Sequence, residues 1–409
     1  MTNQSDEDRV SQSKDVEHVW RDLHTQETKY DWSEEAKKLR LQRIEQFLGW
    51  ELSHIPQTNF ESVKLQGNIE NFIGSVEVPI GFAGPLLIHG DHISGPVIAP
   101  LATSEGALVA SASRGAKLLN LCGGVHTKFI SERMTRAPSF TCRNLAQAQR
   151  LSTWVISHME EIKKEIKEEY AQLVSIEPII HGRSLTLQFS YKTGNAAGQN
   201  MTTIATWDCC QWIANNAKDA DVQILRYAIE SGFSGDKKMS HANFTAGRGS
   251  RVLAEAWISE DALNKVMHIN SHNVLKTYLQ DIPNYFLNGS VSCNANTANI
   301  VAALFTATGQ DIACVHESSL GQLAFEMDEQ GLYVSLLMPC LVVGTIGGGT
   351  SLPCQKEALK MLDCQGENSK ERLAQIISGF CLALELSTFS SSVEGSFVGA
   401  HSRLGRKHP

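Results

Sequence analysis

Apolar and polar residues alternate with a helical period near the start of the chain. Residues 17–50 show this period, which predicts helices, whereas the polar, acidic stretch at residues 1–16 is expected to be disordered. From residue 68 the pattern changes to short β-branched runs interrupted by glycine and proline, which predicts strands and turns. Ser104 is then the predicted N-cap of a helix that begins at Glu105 and reads EGALVASASRGAKLLNL. The small residues of this helix suit either tight core packing or close approach to a ligand.

A compact α/β unit is predicted between Pro138 and Ile229. Its elements are a charged amphipathic helix over residues 152–173, a strand RSLTLQFSY, and a long helix that runs from KTGNAAGQNM through ATWDCCQWIANNA. Strands and helices that alternate over so short a stretch are typical of one folded unit.

The last part of the chain is richer in apolar helices. Residues 252–280 are predicted to be mostly helical, and the apolar helix NTANIVAALFTATGQDIACV is predicted to end near Asp311. GLYVSLLMPCLVVGT predicts a strand pair or one bent strand, GGGTSLPCQKEALKML a glycine loop that opens a helix, and RLAQIISGFCLALELSTFSS a final apolar helix. No apolar run approaches the ~20 residues of a membrane-spanning helix.

Composition narrows the class of protein. A chain of 409 residues with 42% apolar residues fits two or three globular domains. The net charge of −8 argues against nucleic acid as a partner. Ten cysteines without a CxxC motif, and a polar N-terminus unlike a signal peptide, lead us to expect a cytoplasmic protein with no metal site and no membrane association.

Two sets of short motifs each have more than one possible interpretation. GTIGGGT at residues 344–350 follows an apolar strand and precedes a helix, so its backbone amides could cradle a phosphate, or the loop serves packing alone. The chain lacks a complete GxGxxG and a GxxxxGK[ST] motif, which argues against a Rossmann or P-loop site. The SxxK at Ser234 and the KTG at Lys192 occur in reversed order for a serine acylase, so we reject that chemistry.

Four features suggest carbonyl chemistry when taken together. They are Glu105, the lysine pair Lys237 and Lys238, Asp311 near the end of an apolar helix, and His401 on a small, basic tail. Each alone fits a structural role, and a lone Asp-Lys-Lys triplet is more often a solvated turn. Two acids and an ammonium in one cleft would stabilise a developing oxyanion and raise the pKa of one carboxyl, which suits reduction of a carbonyl group.

The order of longer motifs identifies a family resemblance. The motifs are ENFIGSVEVPIGFAGPL, LATSEGALVASASRG, RMTRAP, TGNAAGQNM, DKK, TGQD, GTIGGGTSLP and GAHSRLGR. Over about residues 60–407 the chain resembles the 3-hydroxy-3-methylglutaryl-coenzyme A reductases, most closely the catalytic portion of class I members. The membrane anchor of animal and fungal members is absent from this sequence.

The resemblance implies an α/β (α+β) fold. A large α/β domain would carry an inserted small, ferredoxin-like domain for the nicotinamide nucleotide, without a Rossmann fold. We therefore expect a tail and helical segment at 1–60, the large domain at 61–137 and 231–409, and the small domain at 138–230. The second part of the large domain would hold the catalytic loop and a mobile C-terminal tail. Active sites shared between subunits imply a homodimer or a higher homo-oligomer.

The resemblance also implies a role for each of the four features. Lys237 matches the lysine that stabilises the oxyanion, and Glu105 the acid that protonates the aldehyde oxygen. Asp311 matches the acid between them, and His401 the histidine that protonates the departing coenzyme A thiolate. Other positions match binding residues: for the substrate Arg136, Ser231, Asp236, Lys238 and Asn299; for coenzyme A Ser111, Arg114 and Arg248; for the nucleotide Asn195, Asn200, Gly347, Gly348 and Gly349.

Two departures from the family pattern affect the nucleotide. Asn195 stands where the family has an aspartate, so a hydrogen bond is kept and a charge is lost. Glu168 and Glu169 align with the residues that grip the 2′-phosphate of NADPH in class I members. Carboxylates repel that phosphate and accept from a free ribose 2′-hydroxyl, so we predict NADH over NADPH. Alternatively, both are the exposed end of the helix EEIKKEIKEE.

Three functions remain open from the sequence. The first is reduction of 3-hydroxy-3-methylglutaryl-coenzyme A to mevalonate and coenzyme A with two reduced nicotinamides. The second is reduction of a related acyl thioester in specialised metabolism. The third is a homologue that binds acyl-coenzyme A without reducing it.

Overall fold

The computed structural model describes residues 17–394, apart from the side chains of Gln26, Glu27 and Glu394. The expected disordered stretch at 1–16 and the predicted acid His401 lie outside the described residues. The chain divides into two compact units between Pro79 and Ile80.

The first unit is helical, as its apolar spacing predicts. Helix α1 covers residues 17–23, and it is followed by α2 (Gln26–Lys29) and α3 (Glu34–Leu48). The Ser33 side chain accepts from the Ala36 amide at the start of α3, and Gly49 ends that helix in the left-handed region. Arg40 is buried and donates to the carbonyls of Thr28, Asp31 and Phe72, which ties α3 to the segments around it.

The second unit is built on a ten-stranded sheet with helices packed against it. The strands are β1 (Ile80–Gly90), β2 (Ser94–Ala102), β3 (Val125–Arg136), β4 (Ser139–Cys142), β5 (Gln172–His181), β6 (Ser184–Lys192), β7 (Ile224–Ala228), β8 (Gly249–Ile258), β9 (Gln322–Asp328) and β10 (Gly331–Leu341). The helices are α4 (Leu108–Leu121), α5 (Leu145–Ser157), α6 (Met159–Lys164), α7 (Gln199–Asn216), α8 (His241–Ala246), α9 (Glu260–Met267), α10 (Ser271–Leu287), α11 (Thr297–Thr308), α12 (Val315–Ser318), α13 (Pro353–Met361) and α14 (Ser369–Glu394). The predicted mixture of helix and sheet is confirmed.

The strand order runs β7-β4-β6-β3-β8-β10-β9, with β1, β2 and β5 beside this path. Between β4 and β7 the elements follow the order strand, helices, two strands, helix, strand, and the neighbours β7-β4-β6-β5 are all antiparallel. This is the split βαβ arrangement of ferredoxin-like folds. These elements enclose a hydrophobic core of their own, which includes Phe140, Leu151, Phe189 and Cys210. The boundaries 138 and 230 stay a prediction.

Residues 252–258 form a strand, so the prediction that 252–280 is mostly helical is wrong at its start. Val252, Ala254, Ala256 and Ile258 are all buried on one face of β8, which lies between β3 and β10. Their spacing of two is a strand period, and the alanines concealed it because alanine favours helices.

Two other predicted helices have different bounds. The helix expected over 152–173 is α5 and α6, which meet at His158, and the strand β5 already begins at Gln172. The helix expected from Glu105 begins at Leu108, because Ala107 has a left-handed φ of 73° and ends the preceding turn. Glu105 therefore lies on a loop, where its amide donates to the Thr103 hydroxyl.

The apolar helix α14 runs through the interior of the second unit. It is long and apolar enough to cross a membrane by length and composition, in contrast to our expectation, but 83% of its most apolar stretch is buried within the protein. Glu385 is fully buried in this helix, and its two carboxylate oxygens accept from the amides of Ala295 and Asn296 at 2.6 and 2.7 Å. Burial raises the pKa of Glu385 to about 7, although these amides act in the opposite direction. The carboxylate thereby anchors the segment that leads into α11.

Candidate active site

The segment that carries the two lysines is a pinned loop between β7 and α8. Gly235 and Lys237 both have left-handed backbones, with φ of 70° and 53°. The buried Asn243 side chain donates to the carbonyls of Gly235 and Lys238 at 2.8 and 2.9 Å. The Ser240 hydroxyl in turn accepts from the Asn243 amide and caps α8. A residue held in an unfavourable backbone region by several bonds is typical of a functional loop, and the side chains of Lys237 and Lys238 are exposed on this turn.

Replacing Gly235 by alanine should destabilise this loop. The new Cβ would lie 2.1 Å from Asn243 Oδ1, and alanine disfavours the positive φ. We expect a loss of about 2–4 kcal/mol in the free energy of unfolding, measured with urea, and a lower turnover. The matched control is Gly182→Ala, since Gly182 also has a positive φ but open space around it. Equal losses in the two variants would contradict the role assigned to Asn243.

Lys237 and Asp311 form the central pair of the site. Lys237 Nζ lies 3.2 Å from Asp311 Oδ2, and both side chains are about half exposed. Asp311 follows α11, as predicted, and its Oδ1 accepts from the Ala313 amide at 3.1 Å. The site therefore presents an ammonium to solvent beside a carboxylate that is fixed by the backbone.

The pair holds both groups in their charged forms. Burial would raise the pKa of Asp311, but the hydrogen bond and charge of Lys237 outweigh it, and the Ala313 amide adds to them, so the pKa is lowered. Burial would lower the pKa of Lys237, but the hydrogen bond and charge of Asp311 raise it overall. A protonated lysine is what stabilisation of an oxyanion requires.

A buried ion cluster lies beneath the loop. Arg248 is fully buried, and its guanidinium donates to Asp236 Oδ1 at 2.8 Å and to Glu317 Oε1 at 2.6 Å. The Lys237 amide also donates to Glu317 Oε1, at 3.1 Å. Arg136 is 6% exposed, and its guanidinium lies 3.8 Å from Asp236 and donates to Thr203. The cluster therefore fixes the backbone on which Lys237 is carried.

This burial corrects one expected role and limits another. Arg248 was expected to contact coenzyme A, but an arginine with no exposed surface whose guanidinium is paired with carboxylates does not face a ligand. Arg136 was expected to face the substrate carboxylate, yet its guanidinium is engaged inside the protein. Lys238, on the same loop as Lys237, is exposed, and its Nζ donates to the Asp236 carbonyl at 3.0 Å.

The cluster does not fit a metal ion. Asp236, Cys314 and Glu317 place ligand-type atoms within 4.8 Å of one another. Arg248 already donates to both carboxylates, so a divalent cation would meet a guanidinium in the same space. Burial also raises the pKa of Cys314, which keeps the thiol protonated.

Glu105 pairs with a residue of α11. Asn299 Nδ2 donates to Glu105 Oε2 at 2.7 Å, and Glu105 is exposed. The structure thus brings together two of the predicted site residues from segments 194 positions apart in sequence. Ser231, another predicted substrate position, lies at the start of the Lys237 loop and is exposed. Its hydroxyl donates to the Ala137 carbonyl.

The two remaining coenzyme A candidates lie on α4 and bond to α14. The Ser111 and Ser387 hydroxyls are 2.8 Å apart. Arg114 donates to the Ser387 side chain and carbonyl and to the Ser391 hydroxyl. Both candidates are partly exposed and contact the C-terminal part of α14.

The glycine loop and the TGNAAGQNM turn lie side by side. The Thr345 amide donates to the Asn195 carbonyl at 2.8 Å, and Ala196 pairs with Ile346. Asn195 Nδ2 donates to the Gly366 carbonyl, and its Oδ1 accepts from the Lys370 amide. An aspartate could not donate to Gly366, which gives a structural reason for asparagine at this position.

The surface beside these segments fits a nucleotide. A cleft of about 480 Å³ is lined by residues from 345–351, from α13, from the connection between α13 and α14, and by Ser369 at the start of α14. Gly347 and Gly348 have positive φ, and no atom lies within 4 Å of a Cβ built on either. Their backbone is therefore open to a phosphate, and Asn200 is exposed near the N-terminus of α7. Gly349 is more enclosed, because a Cβ there would lie 2.8 Å from the Gly309 carbonyl.

Glu168 and Glu169 lie on the connection between α6 and β5. Helix α6 ends at Lys164, so the interpretation of the two glutamates as the end of that helix is wrong. Their side chains face solvent at least in part, which leaves them accessible to a ligand.

The sequence reasoning missed Gln199, Glu317 and the buried pair Lys370–Glu132. Lys370 Nζ lies 2.7 Å from Glu132 Oε1, which also accepts from the Thr193 hydroxyl beneath the TGNAAGQNM turn. Burial lowers the pKa of Lys370, against the effect of Glu132. Gln199 could have been found as a member of the motif, whereas Glu317 carries no sequence signal.

An ammonium paired with a carboxylate suits the reduction of a carbonyl group, and the open glycine loop suits a cofactor that carries phosphate, so the class that they favour is a nucleotide-dependent oxidoreductase. The sequence model of the hydroxymethylglutaryl-coenzyme A reductases matches residues 36–406. The chain belongs to this family, as its motifs predict.

Known relatives agree with this assignment. The chain is 39% identical over 380 residues to the 3-hydroxy-3-methylglutaryl-coenzyme A reductase of Methanocaldococcus jannaschii, covering 91% of this chain and 93% of the relative. It is 40% identical over 381 residues to that of Aeropyrum pernix, covering 91% and 90%. Among solved structures, the class II enzyme of Streptococcus pneumoniae bound to NADPH has a TM-score of 0.64 at 17% identity, covering 95% of this chain and 98% of that one. At this identity the last comparison shows the fold alone.

Proposed function

We propose that the protein reduces 3-hydroxy-3-methylglutaryl-coenzyme A to mevalonate and coenzyme A. The observation that carries the proposal is the pairing of Lys237 Nζ with Asp311 Oδ2 at 3.2 Å, on a loop whose backbone is fixed. Two reduced nicotinamides and two protons are consumed for each thioester. When bound, the nicotinamide supplies a hydride to the carbonyl carbon of the substrate.

Lys237 serves both reductions. In the first, a C–H bond forms, the carbonyl electron pair moves to oxygen, and the Lys237 ammonium stabilises that oxyanion. The oxyanion then collapses, the C–S bond breaks, and the coenzyme A thiolate leaves. His401 donates a proton to this thiolate, which prevents it from attacking the new aldehyde again.

Glu105 completes the second reduction. A second C–H bond forms at the aldehyde carbon, and the developing alkoxide receives a proton from Glu105. Asn299 holds the Glu105 carboxyl by its 2.7 Å hydrogen bond. Lys238, exposed on the same loop, is the cation for the terminal carboxylate of the substrate.

The nucleotide that we propose is NADH. The support is the pair of accessible carboxylates at Glu168 and Glu169, which repel a 2′-phosphate. Asn195 adds no charge to the TGNAAGQNM turn. The open backbone of Gly347 and Gly348 would hold the pyrophosphate.

Steady-state kinetics with both nucleotides test the reaction and the preference together. We expect two nucleotides oxidised for each coenzyme A thiol released, and a kcat/KM at least about tenfold higher with NADH. The variant Glu168→Ser/Glu169→Arg should gain activity with NADPH, while the exposed control Glu160→Ser/Glu161→Arg should not. A preference of the parent protein for NADPH would contradict the proposed nucleotide. Absence of turnover with either one would favour a homologue that binds acyl-coenzyme A.

We further propose a homodimer with shared sites in the cytoplasm. Ile80 and Phe82 on β1 and Ile98 on β2 are 59%, 66% and 44% exposed, and an apolar patch of this kind favours a protein interface. All ten cysteines are free, and seven of them are buried, which suits a reducing compartment.

A further inference from the structure

We infer that Gln199 is a positioning residue that orients the Asp311 carboxylate towards Lys237 and links the nucleotide turn to the catalytic loop. The inference rests on the proposed function, because it takes Lys237 and Asp311 as the reacting pair. It concerns a side chain at the first position of α7 that neither the motif analysis nor the family roles assign.

The amide of Gln199 has a distinct partner on each side. Its Nε2 donates to Asp311 Oδ2 at 3.1 Å, the oxygen that also lies 3.2 Å from Lys237 Nζ. Its Oε1 accepts from Arg248 Nη2 at 3.2 Å. Because a carboxylate only accepts and a guanidinium only donates, the orientation of this amide is determined by its neighbours. Neither an apolar nor a charged side chain could serve both partners.

The backbone of Gln199 is itself held in place. Gly198 precedes it in the left-handed region and is the N-cap of α7. The Gln199 carbonyl accepts from Arg136 Nη2 and from the Thr203 hydroxyl, both at 2.8 Å. With its main chain fixed at this point, the side chain delivers its amide to Asp311 with little freedom.

The same residue belongs to the segment that contacts the glycine loop. Asn195 and Ala196, four and three positions earlier, pair with Thr345 and Ile346. Arg248, on the other side of the Gln199 amide, holds Asp236, which directly precedes Lys237. One side chain thus lies between the predicted nucleotide site and both halves of the Lys237–Asp311 pair.

Replacement of Gln199 should change the pH dependence of kcat. The polar groups that face Asp311 are the Lys237 ammonium, the Gln199 amide, the Ala313 amide and the Cys314 thiol, with Asp236, Glu317 and Arg248 in the next layer. All three nitrogen donors favour the ionised carboxyl. Because the folded protein keeps the pKa of Asp311 low, removing one donor raises it, and activity is lost at a higher pH on the acid side.

The test compares Gln199→Leu and Gln199→Glu with the parent protein. Gln211→Leu, on the exposed face of the same helix, is the matched control. For Gln199→Leu we expect kcat to fall about tenfold and the KM for the nucleotide to change less than about twofold. The acid midpoint, which is the pH at which kcat falls to half on the acid side of its pH profile, should rise by roughly half to one pH unit. For Gln199→Glu the acid midpoint should rise further, since a second carboxylate faces Asp311. Gln211→Leu should leave all three quantities unchanged.

A crystal structure of Gln199→Leu provides a readout that does not depend on turnover. We expect the Asp311 carboxylate to rotate, so that Oδ2 lies more than about 4 Å from Lys237 Nζ. An unchanged acid midpoint, or an unchanged separation in the crystal, would overturn the inference. If the parent protein has no reductase activity, the proposed function fails, and the crystal structure still decides whether Gln199 positions Asp311.

Discussion

Replacing Lys237 by methionine should lower kcat/KM by about a hundredfold to a thousandfold. Methionine retains most of the length of the side chain and removes the ammonium that we propose stabilises the developing oxyanion. The loss should appear mainly in kcat, because the interaction strengthens as charge develops on the substrate oxygen. Steady-state rates of coenzyme A release, measured at saturating nucleotide, give both kcat and kcat/KM.

Two further variants make this prediction specific. Lys218→Met removes an exposed ammonium from another part of the second unit and should leave kcat unchanged. Lys237→Arg keeps the charge but not the compact geometry, so it should recover only part of the rate. A Lys237→Met protein that retains full activity would refute the mechanism proposed for this site.

Replacing Arg248 by methionine should lower the free energy of unfolding by about 3–5 kcal/mol. Glu317 would then be left buried without its cation, while Asp236 would retain Arg136 at 3.8 Å. The double variant Arg248→Met/Glu317→Leu removes both buried charges and should regain most of the loss. Urea unfolding of the two single variants and the double variant gives the coupling between the residues.

The destabilisation by Arg248→Met should depend on pH in a defined direction. Burial raises the pKa of Glu317, and Arg248 opposes this, so the pKa rises further when Arg248 is removed. A carboxyl whose pKa is higher in the folded state binds its proton more tightly there, so stability falls as pH rises between the unfolded and folded values. The loss should therefore be smaller at about pH 5 than at about pH 8. A loss that does not vary with pH would exclude the ionised Glu317 as its cause.

The sequence predicted the parts of the site that lie in continuous motifs. Asp311 was placed correctly after its helix because TGQD follows an apolar run and a glycine ends it. Lys237 was placed correctly in a loop because glycines precede it in SGFSGDKK. These features are local, and local backbone preferences determine them.

The parts that were missed depend on contacts between distant segments. Nothing near Glu317 indicates that it accepts from the Lys237 amide, 80 positions away. Arg248, one residue before β8, was expected to contact coenzyme A, and only the fold shows that it is buried between Asp236 and Glu317. The same strand was taken for a helix because its alternating alanines carry little periodic signal. Tertiary burial, which the local pattern does not encode, decided each case.

Strand β3 takes part in both halves of the second unit without a break. Its residues from His126 to Arg133 pair with β8, and those from Met134 to Arg136 pair with β6 of the ferredoxin-like elements. Rotation of the ferredoxin-like elements would therefore twist a hydrogen-bonded ribbon, because at β3 the two parts are joined by a strand and not by a loop. The orientation of those elements is restricted before any ligand binds. A ligand that contacts both parts would therefore lose less configurational entropy on binding than it would if a flexible loop joined them.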